Sequence, residues 1–237
     1  MTALLAVEGI NKSFQGVRTL TDVTFTLERG RILGLIGPNG AGKTTMFNVI
    51  SGIYSADQGR VMLEGRDITN RAPARIARFG VARTFQVART FNDMTVAENL
   101  RVALVNAGLS ARQERAKIDA MLDLIGLSPA RDLIVSALPD GQKKLLEAAR
   151  ALMLTPKLLI LDEPFAGVSA EVIDLLIGII TRLAGEGVGC LVISHDIVSL
   201  PRLCEEVLVL VEGQVMTRGA IADIRNNPRV VDAYLGA

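Results

Sequence analysis

Sulfur and imidazole are scarce in this sequence: it has two cysteines and one histidine in 237 residues. Cys190 and Cys204 lie in apolar surroundings at no metal-ligand spacing. That excludes a disulfide framework and a cysteine-based metal site, and it fits a reducing compartment. A charge excess of one sign is also missing, since 26 lysines and arginines face 25 acidic residues. Phosphate-backbone binding usually leaves a basic surplus, so nucleic acid is not expected as a partner. The opening MTALLAVEG has no basic start and no long apolar stretch, and no signal peptide is expected there. Long apolar runs are absent too. The most apolar helix candidate, EVIDLLIGIITRLAG, is interrupted by Asp174 and Arg182, short of the roughly 18 residues a membrane span needs. No internal repeat or low-complexity linker divides the chain.

What is abundant is apolar residue, 49% of the chain, with a mean hydropathy of +0.36. The expectation is a soluble or membrane-peripheral protein with a large core and an apolar docking surface. In VTFTLERGR, Val23, Phe25 and Leu27 alternate with Thr24, Thr26 and Glu28, the pattern of a half-buried strand. RILGLIG is a continuous apolar run, which suits a strand covered on both faces. A glycine-rich loop, a helix over 43–51 and a strand segment GRVMLEGRDIT turning at Gly65 follow. From about Gln86 to Thr155 the pattern is almost wholly helical. Thr95 with Glu98 and Ser110 with Gln113 read as capping boxes, Ile118, Met121, Leu122 and Ile125 share one helical face, and Gly126 reads as a carboxyl cap. Alternation then resumes with KLLILDEP, the helix AEVIDLLIGIITRLAG, VGCLVISHD, and a hairpin turning at Glu212 and Gly213. The expected fold is α/β: a mostly parallel sheet flanked by helices, an antiparallel piece in front and a helical insertion.

Between the first buried strand and the first helix stands GPNGAGKTT, which fits G-x-x-x-x-G-K-[ST] through Gly37, Gly42, Lys43 and Thr44. The stretch Gly37, Pro38, Asn39, Gly40, Ala41, Gly42 lets successive backbone N–H groups turn around a phosphate, and the helix amino end adds positive potential. Lys43 would reach the β- and γ-phosphates, and the Thr44 hydroxyl, followed by Thr45, would ligate Mg²⁺. A chance match arises in roughly one chain of this length in a hundred, and the flanking strand and helix supply the context the motif requires. Asp162 and Glu163 end the strand KLLILDEP, where ligands bind in open α/β sheets. Beside a phosphate loop, Asp162 would hold Mg²⁺ or its water, and Glu163 would orient or deprotonate the attacking water. His195 also ends a buried strand; alone it reads as a cap or a solvated side chain, and beside the other two strand ends as a γ-phosphate contact. Gln86 in VARTFQ follows the same logic and completes the candidate metal set. Phe14 in NKSFQG is either a platform for adenine or ordinary packing.

In this order, the phosphate loop, TFQ, the helical insertion, LPDGQKKLLEAARAL, LLILDEP and ISHD resemble the nucleotide-binding subunit of an ABC transporter over essentially the whole chain. The resemblance implies a P-loop NTPase fold as one domain over 1–237. Its α/β core with an amino-terminal antiparallel β subdomain would comprise 1–85 and 155–237, and its helical subdomain 86–154. It further implies an ATPase that uses ATP and Mg²⁺ and works as a dimer, each subunit's signature loop facing ATP on the other's phosphate loop. Here the signature is Leu138, Pro139, Asp140, Gly141, Gln142, where the family usually has LSGGQ. Pro139 offers neither a hydroxyl nor a backbone N–H. Asp140 either repels the phosphate or caps its own helix. Loss of one donor to a developing transition-state charge costs about 10²–10³ in rate, so ATP facing this signature is expected to turn over more slowly than ATP on this subunit's own loop. Ser169 stands where the family usually has aspartate.

GLIGPNGAGKTTMFNVISGIY, IARFGVARTFQ, MTVAENLRVAL and IRNNPRVVDAYLGA are similar to the ATP-binding subunit of branched-chain amino acid importers, in which a proline at the second signature position is familiar. That similarity implies a second, different ATPase as heterodimer partner, two membrane permeases and a periplasmic solute-binding protein. It also implies a peripheral position on the cytoplasmic face of the inner membrane, with Gln86 and the helical insertion meeting the permease loops. The alternatives are the ATPase of a lipopolysaccharide exporter, which shares the DEPFAGV style of segment, and a soluble ABC ATPase outside transport. A P-loop kinase or GTPase would leave the signature stretch and His195 unexplained.

Overall fold

Strands β1 (Leu5–Phe14) and β2 (Val17–Leu27) open the chain as an antiparallel hairpin. Along β2, Val23, Phe25 and Leu27 are buried while Thr24 and Thr26 are exposed, as the alternation predicts. The computed structural model describes residues 3–84, 89–105, 107–194 and 200–235. After β3 (Ile32–Ile36) come α1 (Lys43–Ile50), β4 (Gln58–Leu63), β5 (Arg66–Asp67), α2 (Pro73–Arg78) and β6 (Val81–Arg83). The insertion holds α3 (Val96–Val102), α4 (Ala111–Leu124) and α5 (Asp140–Leu152). It is followed by β7 (Leu158–Asp162), α6 (Ala170–Gly185), β8 (Gly189–Ile193), β9 (Glu206–Val211), β10 (Gln214–Ala220), α7 (Ile221–Arg225) and α8 (Pro228–Leu235).

Two sheets result. One is four-stranded and antiparallel, in the order β2-β1-β4-β5; the other is six-stranded, in the order β10-β9-β3-β8-β7-β6, and parallel except for the β9–β10 pair. The continuous apolar runs of the central strands have a direct reason: alternate residues feed two different cores. Leu158, Ile160, Leu191, Ile193, Leu208 and Leu210 pack with Phe25, Phe47 and the antiparallel sheet. Leu159, Leu161, Cys190, Val192, Val207 and Val209 pack with the helical insertion and α6. Burial pushes the thiols of Cys190 and Cys204 up to about 12, so both are inert packing groups. No helix among the described residues is long and apolar enough to cross a membrane.

The insertion is less helical than its pattern predicts. Both capping boxes form, with Thr95 and Glu98 and then Ser110 and Gln113 bonding reciprocally. Ile118, Leu122 and Ile125 are buried, and Gly126 adopts the left-handed conformation just past α4, where the Leu127 N–H donates to the Leu122 carbonyl. However, α3 stops at Val102, and residues 125–139 form turns and two short 3₁₀ segments instead of helix. Ser128-Pro129 and the Leu138-Pro139 step account for much of this, because proline lacks the donor that a continuing helix needs.

Candidate functional site

The phosphate loop follows β3 directly, and its glycines are dictated by neighbouring backbone. A Cβ on Gly37 would stand 2.0 Å from the Leu210 carbonyl oxygen, and one on Gly42 2.7 Å from that of Thr19, with φ of +96° at Gly42. The loop is thus wedged between β9 and β2, and only glycine fits at either end. Gly42 is the N-cap of α1, so the unpaired N–H groups of the first helical turn belong to Lys43, Thr44 and Thr45. The buried Lys43 ammonium donates to the carbonyls of Gly37 (2.6 Å) and Pro38 (2.8 Å). Burial lowers the Lys43 pKa, and the facing carboxylates of Glu163 and Asp162 work against that shift.

Residues 39–45, together with Thr19, Asp162, Glu163 and Ile193, line a cavity of about 320 Å³. The phosphate loop and the ends of β7 and β8, far apart in sequence, therefore meet at one edge of the parallel sheet with Thr19 of β2 beside them, as the topology of an open α/β sheet requires. The carboxylates of Asp162 and Glu163 are both buried. The Asp162 N–H donates to the Thr84 hydroxyl at 3.4 Å, and the Glu163 N–H to the Ile193 carbonyl at 2.9 Å. Glu163 holds a φ of +49°, a left-handed conformation that is uncommon for a residue with a side chain and that often marks a functional position. A single buried carboxylate with a hydroxyl beside a phosphate cradle is a donor set that suits Mg²⁺, which keeps waters and substrate phosphates as its remaining ligands. Among the described residues no group of three or more His, Cys, Asp or Glu side chains could hold a metal ion by itself.

Two side chains overlooked in the sequence stand beside this cavity. Arg83, at the end of β6, ion-pairs with Asp162 at 3.1 Å. Lys144 on α5 donates to the carbonyls of Glu163 (3.4 Å) and Ala166. Burial lowers the Lys144 pKa, opposed by Glu147 and Glu163. Lys144 ties the signature helix to the loop that carries the second acid. The signal for Arg83 was a lone arginine closing an apolar strand in VARTFQ; Lys144 had no comparable signal, because one lysine of a KK pair on an amphipathic helix reads as solvated.

Other predicted residues lie apart from the cavity. Leu138–Gln142 do not line it. Leu138 is buried, Pro139 is the N-cap of α5 without a side-chain cap bond, and Asp140 is the first helical residue with its side chain 91% exposed. The capping reading of Asp140 is therefore corrected: the N-cap position is taken by Pro139, no side chain caps α5, and the Asp140 carboxylate points outward and approaches Lys143 at 3.5 Å. Phe14 ends β1, packs edge-on against Tyr54 with ring centroids 5.0 Å apart, and carries Lys12 over its face at 5.1 Å; it is not among the cavity residues. Ser169 is the N-cap of α6 without a side-chain cap bond, and its nearby hydroxyl lowers the pKa of Glu171. Gln86 and His195 lie outside the described residues.

A second cavity, of about 360 Å³, separates the core from the helical insertion. Ile53, Arg83, Phe91, Val102, Glu147 and Arg150 are among its lining residues. The exposed Ile53, Phe91 and Leu154 give it an apolar rim.

Comparison with known proteins agrees with this geometry. The family model described as ABC transporter matches residues 20–166. A probable branched-chain amino acid transport ATP-binding protein LivG of Archaeoglobus fulgidus is 39% identical, covering 99% of this chain and 96% of the relative. A lipopolysaccharide export system ATP-binding protein LptB of Haemophilus influenzae is 34% identical, with 99% and 98% covered. The crystal structure of a nucleotide-free ATP-binding cassette from an ABC transporter superposes with a TM-score of 0.90 at 32% identity over all of both chains. A cassette in its ADP conformation gives 0.89 at 32% identity, again over all of both chains. ATPase subunits of this kind bind ATP and ADP, dimerise and work with membrane permeases. The chain belongs to the ABC transporter ATP-binding family and is an ATPase subunit of a transporter.

Proposed function

We propose that this subunit drives an importer of branched-chain or related amino acids, as the partner of two membrane permeases, a second and different ATPase, and a periplasmic solute-binding protein. The observation that carries the reading is the 39% identity along 99% of the chain with a LivG-type relative. A BraF-type relative of Pseudomonas aeruginosa, a high-affinity branched-chain amino acid transport ATP-binding protein, supports it at 35% identity. The subunit would sit peripherally on the cytoplasmic face of the inner membrane. The apolar-rimmed groove between core and insertion supports a permease loop as its occupant, with Gln86 nearby in sequence to Arg83.

In this reading the backbone N–H groups of 39–45 bind the ATP phosphates, and Gly37 and Pro38 hold the Lys43 ammonium in place until a phosphate takes over from their carbonyls. Thr44 and Asp162, with Gln86, would hold Mg²⁺, which would supply charge neutralisation on the phosphates. Glu163 takes the proton of the attacking water, its backbone fixed by the Ile193 carbonyl. His195 contacts the γ-phosphate, and Phe14 stacks on adenine from the tip of the β1–β2 hairpin. Leu138–Gln142 serve ATP on the partner subunit: no side chain caps the amino end of α5, and 138–142 do not line this chain's own cavity.

The LptB relatives at 34% identity favour a second reading, export of lipopolysaccharide. One experiment separates the two: affinity purification of the tagged subunit from detergent-solubilised native membranes, with mass spectrometry of the co-purifying proteins. Two dissimilar permeases and a second ATPase support the importer. A single ATPase type with export-type permeases overturns it.

A further inference from the structure

One buried cation, Arg83, lies against the candidate metal carboxylate, and the sequence alone assigns it no role. The Arg83 guanidinium is 8% exposed and its partner Asp162 6%, so both charges are removed from water. Burial lowers the Arg83 pKa, and the Asp162 carboxylate opposes that shift without cancelling it. The fork does more than neutralise. One terminal nitrogen donates to Asp162 Oδ2 at 3.1 Å; the other donates to Asn48 Oδ1 at 2.6 Å and to Ser51 Oγ at 3.0 Å. Asn48 belongs to α1 and Ser51 is its C-cap, so the same guanidinium is fastened to the helix whose first turn forms the phosphate site. The Phe47 ring, fully buried, lies 5.9 Å from its central carbon and closes off one side.

We infer that Arg83 is the positioning residue of the nucleotide site: it occupies Oδ2 of Asp162, leaves the other oxygen for Mg²⁺, and sets that oxygen in register with the phosphate loop through α1. The inference rests on the reading of Asp162 as the magnesium carboxylate. A planar, two-pronged donor is what this task requires, because its two terminal nitrogens point in fixed directions and hold Asp162 and α1 at once, whereas a lysine ammonium has no second donor at a fixed angle. Outer-shell groups of this kind orient metal ligands without touching the metal. Arg83 also lines the groove between core and helical insertion. A partner segment seated there would lie against the same side chain that aims the metal ligand.

The test uses the full chain as wild type, Arg83→Lys, Asn48→Ala and Asp162→Asn, with the anisotropy of a fluorescent ATP analogue as the probe. Binding is titrated in EDTA and across Mg²⁺ concentrations, with thermal melting as the check on folding. For Arg83→Lys, affinity in EDTA is expected to match wild type, while the Mg²⁺ concentration giving half of the metal-dependent gain rises about tenfold or more. For Asn48→Ala, which removes one of the bonds that aim the fork and leaves the ion pair, the rise is roughly fivefold. A purely structural Arg83 would lower the melting temperature and leave the Mg²⁺ midpoint alone. An unchanged midpoint in folded Arg83→Lys, or an equal loss with and without Mg²⁺, overturns the inference. If Arg83→Lys does not fold, Asn48→Ala decides by the same midpoint. An unchanged midpoint in Asp162→Asn overturns the reading of Asp162 itself, and this inference with it. A raised midpoint in Asp162→Asn beside unchanged midpoints in the other two leaves that reading standing and sinks only the role of Arg83.

Discussion

The phosphate-loop edge and the signature loop are two halves of one proposed chemistry, and they are built in opposite ways. At the phosphate loop every constraint is internal. Gly37 and Gly42 are pinned by the carbonyls of Leu210 and Thr19, Lys43 is fastened to the loop, and two carboxylates are buried against it. At the signature, Pro139 caps α5 without a side-chain bond, the Asp140 side chain is 91% exposed, and a Cβ on Gly141 would meet Val172 at 3.5 Å and Val168 at 3.9 Å, ordinary van der Waals contacts. Fold stability therefore dictates the residues of the first half, while the second half carries residues that the fold alone does not require. That difference is what a site shared between two subunits should leave on each of them.

The comparison is sharpened most by the strongest expected loss. Glu163→Gln should keep ATP binding and lower turnover by about 10³-fold, within the range for a general base; phosphate release measured beside binding of a fluorescent ATP analogue checks it, and ordinary turnover would remove Glu163 from its role. Next comes a paired glycine experiment. Gly37→Ala drives a methyl into the Leu210 carbonyl and should cost at least about 3 kcal/mol or the folded protein itself. Gly141→Ala, in ordinary contact within α5, should hold stability within about 1 kcal/mol. Equal melting losses for the two would break the contrast between the halves. A smaller effect is expected from Pro139→Ser combined with Asp140→Gly. This change returns a hydroxyl and an N–H to the signature and should raise turnover of the assembled dimer roughly tenfold; no gain would mean that the variant signature is not limiting. Smallest is Thr95→Ala, which removes one capping box from α3 and should cost about 1 kcal/mol by chemical denaturation, with nucleotide affinity unchanged.

The legible parts of the molecule were those set by short-range physics. Period-two alternation marked Val23, Phe25 and Leu27, the capping boxes at Thr95 and Ser110 formed as written, and the Glu212-Gly213 turn closes its hairpin with both residues at positive φ. The phosphate loop with its strand and helix was recognisable for the same reason: a loop that wraps phosphate with backbone N–H groups needs glycines at fixed offsets, and offsets are visible in a sequence. The helical insertion was only partly legible, because helical spacing persists across residues 125–139 where proline and local turns end the helix. Tertiary structure alone decided the strand order and the split of each central strand between two cores. It also decided the pairing of Arg83 with Asp162 across 79 residues, and the reach of Lys144 to Glu163 across 19. These depend on which segments lie side by side in the parallel sheet, and nothing in the local pattern of either segment records its neighbour. A buried charge must find its partner wherever the sheet delivers one.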